Sequence, residues 1–392
     1  MDFTVPDELA GHREAARAWV DTYVDARWVD EQYSTGTHQT MELHHLLADA
    51  GLLGAGWPAE LGGTSRDPAF ARAVFSEITR MGLGSDAWST TCMVLNTIKH
   101  VASDEQKRTY ISTALDGKML IALGYSEPDT GSDVAAAKTS ARRDGDDWII
   151  NGQKMFTSTA QCCTHVFVLA RTNLDAPKHR GLTLFLVPTD APGYEIQPIW
   201  TLGGQRTNAT FYSDVRVPDF ARIGEIDAGW DVMRVALVYE RGAASPVLLE
   251  SSLPADLARW AQGNRRPDGT KVFDEPATAE RIARMAIDEE VARLLIQRLR
   301  WLAASGELPG PEGAMQKVFA SESRLRHYRD VLDILGPAGL LPPGAPDAPN
   351  EGWFEAGFRS AVVETIRGGS SEVLRDIIAE RRLGLPRNRP KV

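Results

Sequence analysis

The spacing of apolar residues changes period twice along this chain. Up to about residue 118 it is helical: Leu9, Trp19, Val20 and Val24 recur at roughly one turn's separation behind Pro6-Asp7, where Asp7 can cap a helix. Further helices are predicted over Met41–Ala50, ending at Gly51, and over Ala69–Arg80 and Thr91–His100. Asp104-Glu105-Gln106-Lys107 reads as the acidic first turn of another. At about residue 119 the period becomes two. Met119-Leu-Ile-Ala-Leu123 reads as a buried strand, and Thr139–Arg142, Asp147–Asn151 and Gln153–Thr157 follow, joined by the hairpin dipeptides Asp144-Gly145 and Asn151-Gly152. Val166–Arg171, Leu182–Pro188, Tyr194–Ile199 and Thr210–Val217 continue the pattern, which predicts a compact antiparallel sheet or barrel. From about residue 229 helices return. Val291, Leu294, Leu295, Leu299 and Leu302 mark one face, Met315, Val318, Phe319, Leu325 and Leu332 the next, and a last helix runs from about Ser371 to Arg382. The reading is an α+β chain: an N-terminal helical domain (1–118), a central β domain (119–228) and a C-terminal helical bundle (229–392).

Composition narrows what such a chain does. A formal net charge of -10 over 392 residues, with no long basic run, argues against a nucleic-acid partner. No apolar run is long enough to span a bilayer, so no membrane role is expected. The N-terminus does not read as a signal peptide, nor the final Arg389-Pro-Lys-Val392 as a peroxisomal address. The three cysteines, Cys92, Cys162 and Cys163, fit a reducing cytoplasm, and no metal-ligand spacing is present.

The candidate chemistry begins where the first strand ends, at Leu123-Gly-Tyr-Ser-Glu-Pro-Asp-Thr-Gly-Ser-Asp133. Backbone N–H groups and small hydroxyls at such an exit can hold a flat, phosphate-bearing cofactor. Taken alone, the stretch is equally a surface turn, because Pro-Asp-x-Gly is ordinary turn chemistry.

Four further segments, one before this stretch and three after it, belong with it. They are Trp57-Pro-Ala-Glu-Leu-Gly-Gly63, Asn151-Gly-Gln-Lys-Met-Phe-Thr-Ser158, Gly203-Gly204 with Thr207 and Phe211 to Pro218, and Gly368-Gly-Ser-Ser-Glu-Val-Leu-Arg375. With the helical, β, helical order, they make the chain resemble the acyl-CoA dehydrogenase family of flavoproteins over nearly its whole length. The resemblance implies FAD and an acyl-CoA or other acyl thioester. It places Tyr125 and Ser126 at the isoalloxazine edge, and Gly131 and Ser132 where pyrophosphate or CoA approaches. It puts Phe156 beside the flavin ring, Ser158 near its N5, and Ser370 and Glu372 against FAD from the last helix. The ordinary alternatives are a strand core residue for Phe156, a turn hydroxyl for Ser158 and a helix cap for Ser370.

The reaction implied is α,β-dehydrogenation, which needs a polarised thioester carbonyl and a base for the α-proton. Much of the family carries that glutamate where this chain has Gly368, and the neighbouring Arg367 cannot serve because arginine stays protonated. A second branch, resembling isovaleryl- and long-chain-type enzymes, carries it early in the C-terminal domain, just before an arginine. Here that place reads Tyr239-Glu240-Arg241. Glu240 is therefore expected to be the base, with Arg241 as its electrostatic neighbour and the Gly368 N–H on the thioester oxygen. A solvated helix pair is the alternative for Glu240-Arg241, and Glu364 is a weaker candidate base.

The resemblance also implies an electron-transfer flavoprotein as acceptor and an oligomer whose subunits complete one another's FAD sites. Two helpers depart from the family pattern: Asp333 stands where a Gln is usual, and 273–281 shows no clear Arg-x-x-Phe. That asymmetry resembles bacterial members assembled from two different homologous chains, some acting on bulky steroid-like thioesters. Both a heteromer and a homo-oligomer are carried forward. A flavin monooxygenase or oxidase and a non-catalytic partner subunit stand as alternative functions. The volume freed at Gly368 favours a branched or bulky acyl group. His100, His165 and His327 are read as structural.

Overall fold

The computed structural model describes residues 8–240, 252–305 and 310–387. Asp7 and Arg241 lie outside them. The chain opens with helices α1 (Glu8–Tyr23), α2 (Arg27–Thr35), α3 (Met41–Asp49), α4 (Pro68–Arg80) and α5 (Asp86–Val101). Then come α6 (Asp104–Gln106), a π turn at Lys107–Ile111 and α7 (Ser112–Leu115). The start signals are physical. The Asp67 side chain caps α4 with Pro68 in its first turn, and Ser103 and Gln106 form a reciprocal capping box on α6. On α3, His44 is fully buried; its ring lies 5.6 Å from Trp88 of α5 and 6.0 Å from His45, and neither ring nitrogen has a hydrogen-bond partner.

Eight strands follow: β1 (Ile121–Gly124), β2 (Ser140–Asp144), β3 (Asp147–Lys154), β4 (His165–Arg171), β5 (Leu182–Pro188), β6 (Tyr194–Trp200), β7 (Arg206–Pro218) and β8 (Arg222–Ile223). They form one sheet in the order β6-β7-β3-β2-β4-β5-β8, with β1 added on β4. The path ends at β6 and β8, so of the expected sheet or barrel the chain forms an open sheet. Most pairs are antiparallel as expected, but β1 and β2 both run parallel to β4.

One hairpin expectation is corrected. Asn151-Gly152 does not turn the chain; β3 continues through it, with a register shift against β7 between Ile150 and Gly152. Gly152 has φ +145°, and a Cβ there would lie 2.6 Å from the Thr139 hydroxyl. The glycine makes a bulge with close backbone approach, not a turn.

The C-terminal part holds α8 (Gly229–Val238), α9 (Leu253–Gly263), α10 (Pro276–Ala304), α11 (Glu312–Leu335), α12 (Trp353–Glu364) and α13 (Ser371–Arg381). A large apolar core runs from the N-terminal helices into the sheet, and a second lies among the C-terminal helices.

The β6–β7 connection joins all three regions. On one side the Arg206 N–H donates to Gly36 O (2.8 Å), and Gln205 meets His38 at 3.3 Å. On the other, Arg359 of α12 donates to Leu202 O (2.8 Å), and Gly203 packs against Ser360.

Candidate active site

The exit of β1 is fixed by a buried ion pair. Lys154, at the end of β3, is fully buried, and its ammonium donates to Glu127 (2.8 Å) and to the Tyr125 carbonyl (3.3 Å). Glu127 also accepts the N–H groups of Lys138 (2.7 Å) and Thr139 (2.9 Å), and its backbone exchanges two hydrogen bonds with Thr130. Burial pulls the lysine down to about 8 despite the attraction of Glu127. Burial opposes ionisation of Glu127, but the Lys154 charge and these hydrogen bonds outweigh it and hold the carboxyl below its usual range. Buried Arg171 reinforces the segment beyond, donating to the carbonyls of Ala135, Ala137, Lys178 and Arg180.

This scaffold presents Tyr125 and Ser126. The Ser126 carbonyl accepts the Met155 N–H (2.9 Å), while its half-buried hydroxyl makes no hydrogen bond among the described residues. The Tyr125 ring packs 6.2 Å from Phe167, and the buried hydroxyls of Tyr125 and Thr130 lack partners. Gly131 and Ser132 sit exposed beyond the turn, with open space around Gly131.

Next to Met155 the backbone takes an uncommon path. Phe156 has φ +59°, and its ring is 61% exposed. It is therefore not the strand core residue that a bland reading offers. Thr159 is also left-handed, at φ +61°. Such conformations cost about 1–2 kcal/mol in a non-glycine residue and persist where surroundings enforce them. Here the Thr157 N–H donates to Asn208 O (2.9 Å) and the Ser158 hydroxyl meets that of Thr207 at 3.0 Å. An exposed aromatic ring held in this backbone, an unused Ser126 hydroxyl and two orphaned buried hydroxyls together fit a flat cofactor with polar edges.

The third wall comes from the C-terminal helices. Glu240 lies just past α8, and the preceding Tyr239 stacks on His100 of α5 with a 2.5 Å contact from its hydroxyl to Nε2. His100 thus ties the end of α8 to α5. A Cβ built on Gly368 would lie 3.6 Å from Glu240 Oε1, with no other described residue beyond its chain neighbours within 4 Å. Burial, and then the charge of Glu240, push the Tyr125 hydroxyl well above its usual range. Glu240, Gly368 and Tyr125, distant in sequence, therefore share one place. Gly368 and Gly369 both have positive φ (+66° and +98°), and Lys317 of α11 donates to the Gly369 carbonyl at 2.8 Å.

Other expected residues lie further out. Ser370 caps α13, its hydroxyl accepting from Val373 N (3.4 Å), as the ordinary alternative has it. Glu372 is exposed in the first turn of α13, and neither residue bonds to 125–132 or 156–158 among the described residues. Glu364 is already taken by Arg324 at 3.1 Å. The sequence singles out neither Lys154 nor Lys317, and it reads His100 only as structural. The one available signal was a lysine within an apolar strand, at the fourth place of Asn151-Gly-Gln-Lys154.

Three family models match in series: the acyl-CoA dehydrogenase N-terminal domain at 6–118, middle domain at 122–215 and C-terminal domain at 227–383. The chain belongs to the acyl-CoA dehydrogenase family. Among curated relatives, acyl-CoA dehydrogenase FadE26 of Mycobacterium tuberculosis is 37% identical over 92% of this chain and 91% of its own. Among solved structures, the Tcur3481-Tcur3483 steroid ACAD is 35% identical with a TM-score of 0.88, covering 99% of this chain and 100% of that one. The ChsE4-ChsE5 complex from Mycobacterium tuberculosis is 34% identical with a TM-score of 0.86 and the same coverage. As an acyl-CoA dehydrogenase family member the chain is an oxidoreductase, and the family implies a flavin. Among the described residues no helix is long and apolar enough to cross a membrane, and no three His, Cys, Asp or Glu side chains gather as a metal site.

Proposed function

We propose that this acyl-CoA dehydrogenase binds FAD and carries out α,β-dehydrogenation of an acyl-CoA, with Glu240 as the base. The observation that carries the reading is the approach of the Glu240 carboxylate to Gly368, 3.6 Å from the position a side chain there would begin. A glutamate reaching in from the end of α8 fills the place left empty by the glycine. Contact with an apolar acyl chain would remove water from the carboxylate, the change that makes such a group a better base. The backbone N–H of Gly368 would polarise the thioester carbonyl, which would acidify the α-proton that Glu240 removes. FAD supplies the acceptor for the β-hydride.

Tyr125, Ser126, Phe156 and Ser158 would hold the ring, the last two on a backbone already bent to expose them. Gly131 and Ser132 would take the phosphate-bearing part, and Ser370 and Glu372 would reach the cofactor from α13. Arg241, next to the base, completes the set. A bulky acyl group is the class we favour, and the steroid ACAD among the similar structures supports it. Electrons would pass to an electron-transfer flavoprotein.

A heteromer is the assembly we favour. Asp333, standing where the family has an amide donor, is placed 3.6 Å from Arg281 of its own chain and offers a neighbour's cofactor a carboxylate. The two similar solved structures carry paired names, which supports a partner of homologous sequence.

The deciding experiment is the visible spectrum of the chain purified alone, followed anaerobically on adding acyl-CoA. Bleaching in the wild type that falls by about 10²–10⁴ in rate in Glu240→Gln is expected. Unchanged bleaching in the variant would remove Glu240 as base. A colourless protein that gains flavin only with a second chain would make this a subunit needing its partner.

A further inference from the structure

The end of α8 is held from outside its own helix. α8 winds regularly to Val238, and there the pattern changes. The Tyr239 N–H donates to Ala236 O, three residues back, and the backbone widens to π winding over Tyr239 and Glu240. Such a turn is rare and recurs at functional sites. Each residue of an α-helix rotates the next side chain by about 100°, so the winding at this point decides where the Glu240 carboxylate is aimed. That aim has a target: Oε1 stands 3.6 Å from where a Gly368 side chain would begin.

Two contacts from α5 act on the widened turn. The Tyr239 hydroxyl meets His100 Nε2 at 2.5 Å, and the two rings stack with centroids 5.7 Å apart and planes 24° from parallel. The same helix grips the cofactor side of the site. Thr91 Oγ1 accepts the Ile121 N–H at 2.8 Å, with both residues fully buried. Ile121 opens β1, whose exit presents Tyr125 and Ser126. His100 lies about two and a half helical turns beyond Thr91 on α5. One helix therefore touches both the strand that leads to the cofactor edge and the residue next to the base.

Proton abstraction needs the base within hydrogen-bond reach of the proton it takes, and small displacements of a reacting group are costly in rate. A glutamate at a helix end, where the regular ladder has already given way, gains that precision from a neighbour fixed elsewhere in the fold.

We infer that His100 and Tyr239 are positioning residues for Glu240. Their contact fixes the end of α8 to α5, and α5, through Thr91, fixes it against the strand that presents the cofactor edge. The inference rests on the reading of Glu240 as base and names what holds that base in place.

The test uses the flavin-loaded protein, with its partner chain if flavin requires one. Tyr239→Phe removes the hydroxyl and keeps the ring. His100→Leu removes the hydrogen bond and the stack, and His100→Gln returns an amide that can donate or accept near the place of Nε2. Anaerobic bleaching at saturating acyl-CoA should slow by roughly 10–100-fold in Tyr239→Phe and His100→Leu, the effect of shifting a reacting group by up to about 1 Å. Affinity for a non-oxidisable CoA thioether, measured by calorimetry, should stay within about twofold, because only the reacting geometry is disturbed. His100→Gln should recover most of the rate. In a Glu240→Gln background, adding His100→Leu should slow bleaching no further, since both changes act through one group. Wild-type rates in Tyr239→Phe and His100→Leu, or a further slowing by His100→Leu in the Glu240→Gln background, would overturn the inference and leave Glu240 as base. Unchanged bleaching in Glu240→Gln alone would sink the base and the inference together.

Discussion

His44 makes the fold sensitive to acid in a way that can be calculated. It is fully buried between α3 and α5, with both ring nitrogens unpartnered. Burial, then the neighbouring His45, lower it from 6.5 to about 4, against a small opposing contribution from the Gly117 backbone. Above about pH 6.5 the ring is neutral folded or unfolded, and its contribution to stability is complete. As pH falls below that, the unfolded chain takes up a proton that the folded chain refuses, so stability drops until about pH 4. At 1.36 kcal/mol per unit, the full loss is about 3.4 kcal/mol, of which about 2 is already gone at pH 5. His44→Leu removes this dependence and no other. Urea midpoints and slopes measured on both proteins at pH 7.5 and 5 should show the variant gaining about 2 kcal/mol relative to wild type between the two conditions. A difference between the proteins that does not change with pH would refute the reasoning, whatever its size.

Other outcomes follow from the same contacts. Lys154→Met leaves the Glu127 carboxylate buried without its cation; it should cost about 3–5 kcal/mol and lower flavin retention, measured by denaturation and by flavin released on dilution. Adding Glu127→Gln should recover part of that loss. Ser370→Ala removes the α13 cap and should lower stability by about 0.5–2 kcal/mol, with a smaller effect for Ser370→Asp. Among the described residues Gly368→Ala meets only Glu240, at ordinary contact distance, but it enters a left-handed backbone, so about 1–2 kcal/mol of destabilisation is expected by urea titration.

Much of the architecture was readable from residue period and punctuation. The two period changes mark where helices give way to strands and return, and Met41–Asp49, Pro68–Arg80 and Leu182–Pro188 lie where the pattern placed them. Strand pairing was not readable in the same way. Asn151-Gly152 is a strong turn signal, but Gly152 bonds into a longer ladder with β7, so tertiary pairing overrode local preference. The parallel attachment of β1 depends on where β4 lies, which no local period encodes. At the site, spacing could not join Tyr125, Glu240 and Gly368; family resemblance pointed to them, and the fold brings them together. Phe156 shows the other limit. An aromatic residue at the end of a strand pattern reads as core unless its left-handed backbone is known.

The β6–β7 connection bears on how such a chain can be recombined. Its tip is sewn to Gly36 and His38 ahead of it and to Arg359 and Ser360 behind it. The three regions consequently do not behave as interchangeable cassettes. A chimera that imports the leading helices from a relative must import a matching tip, or the tip and the trailing helices together. Drift at any one of these positions is coupled to the other two, so this seam is where incompatibility between diverged homologues should first be felt.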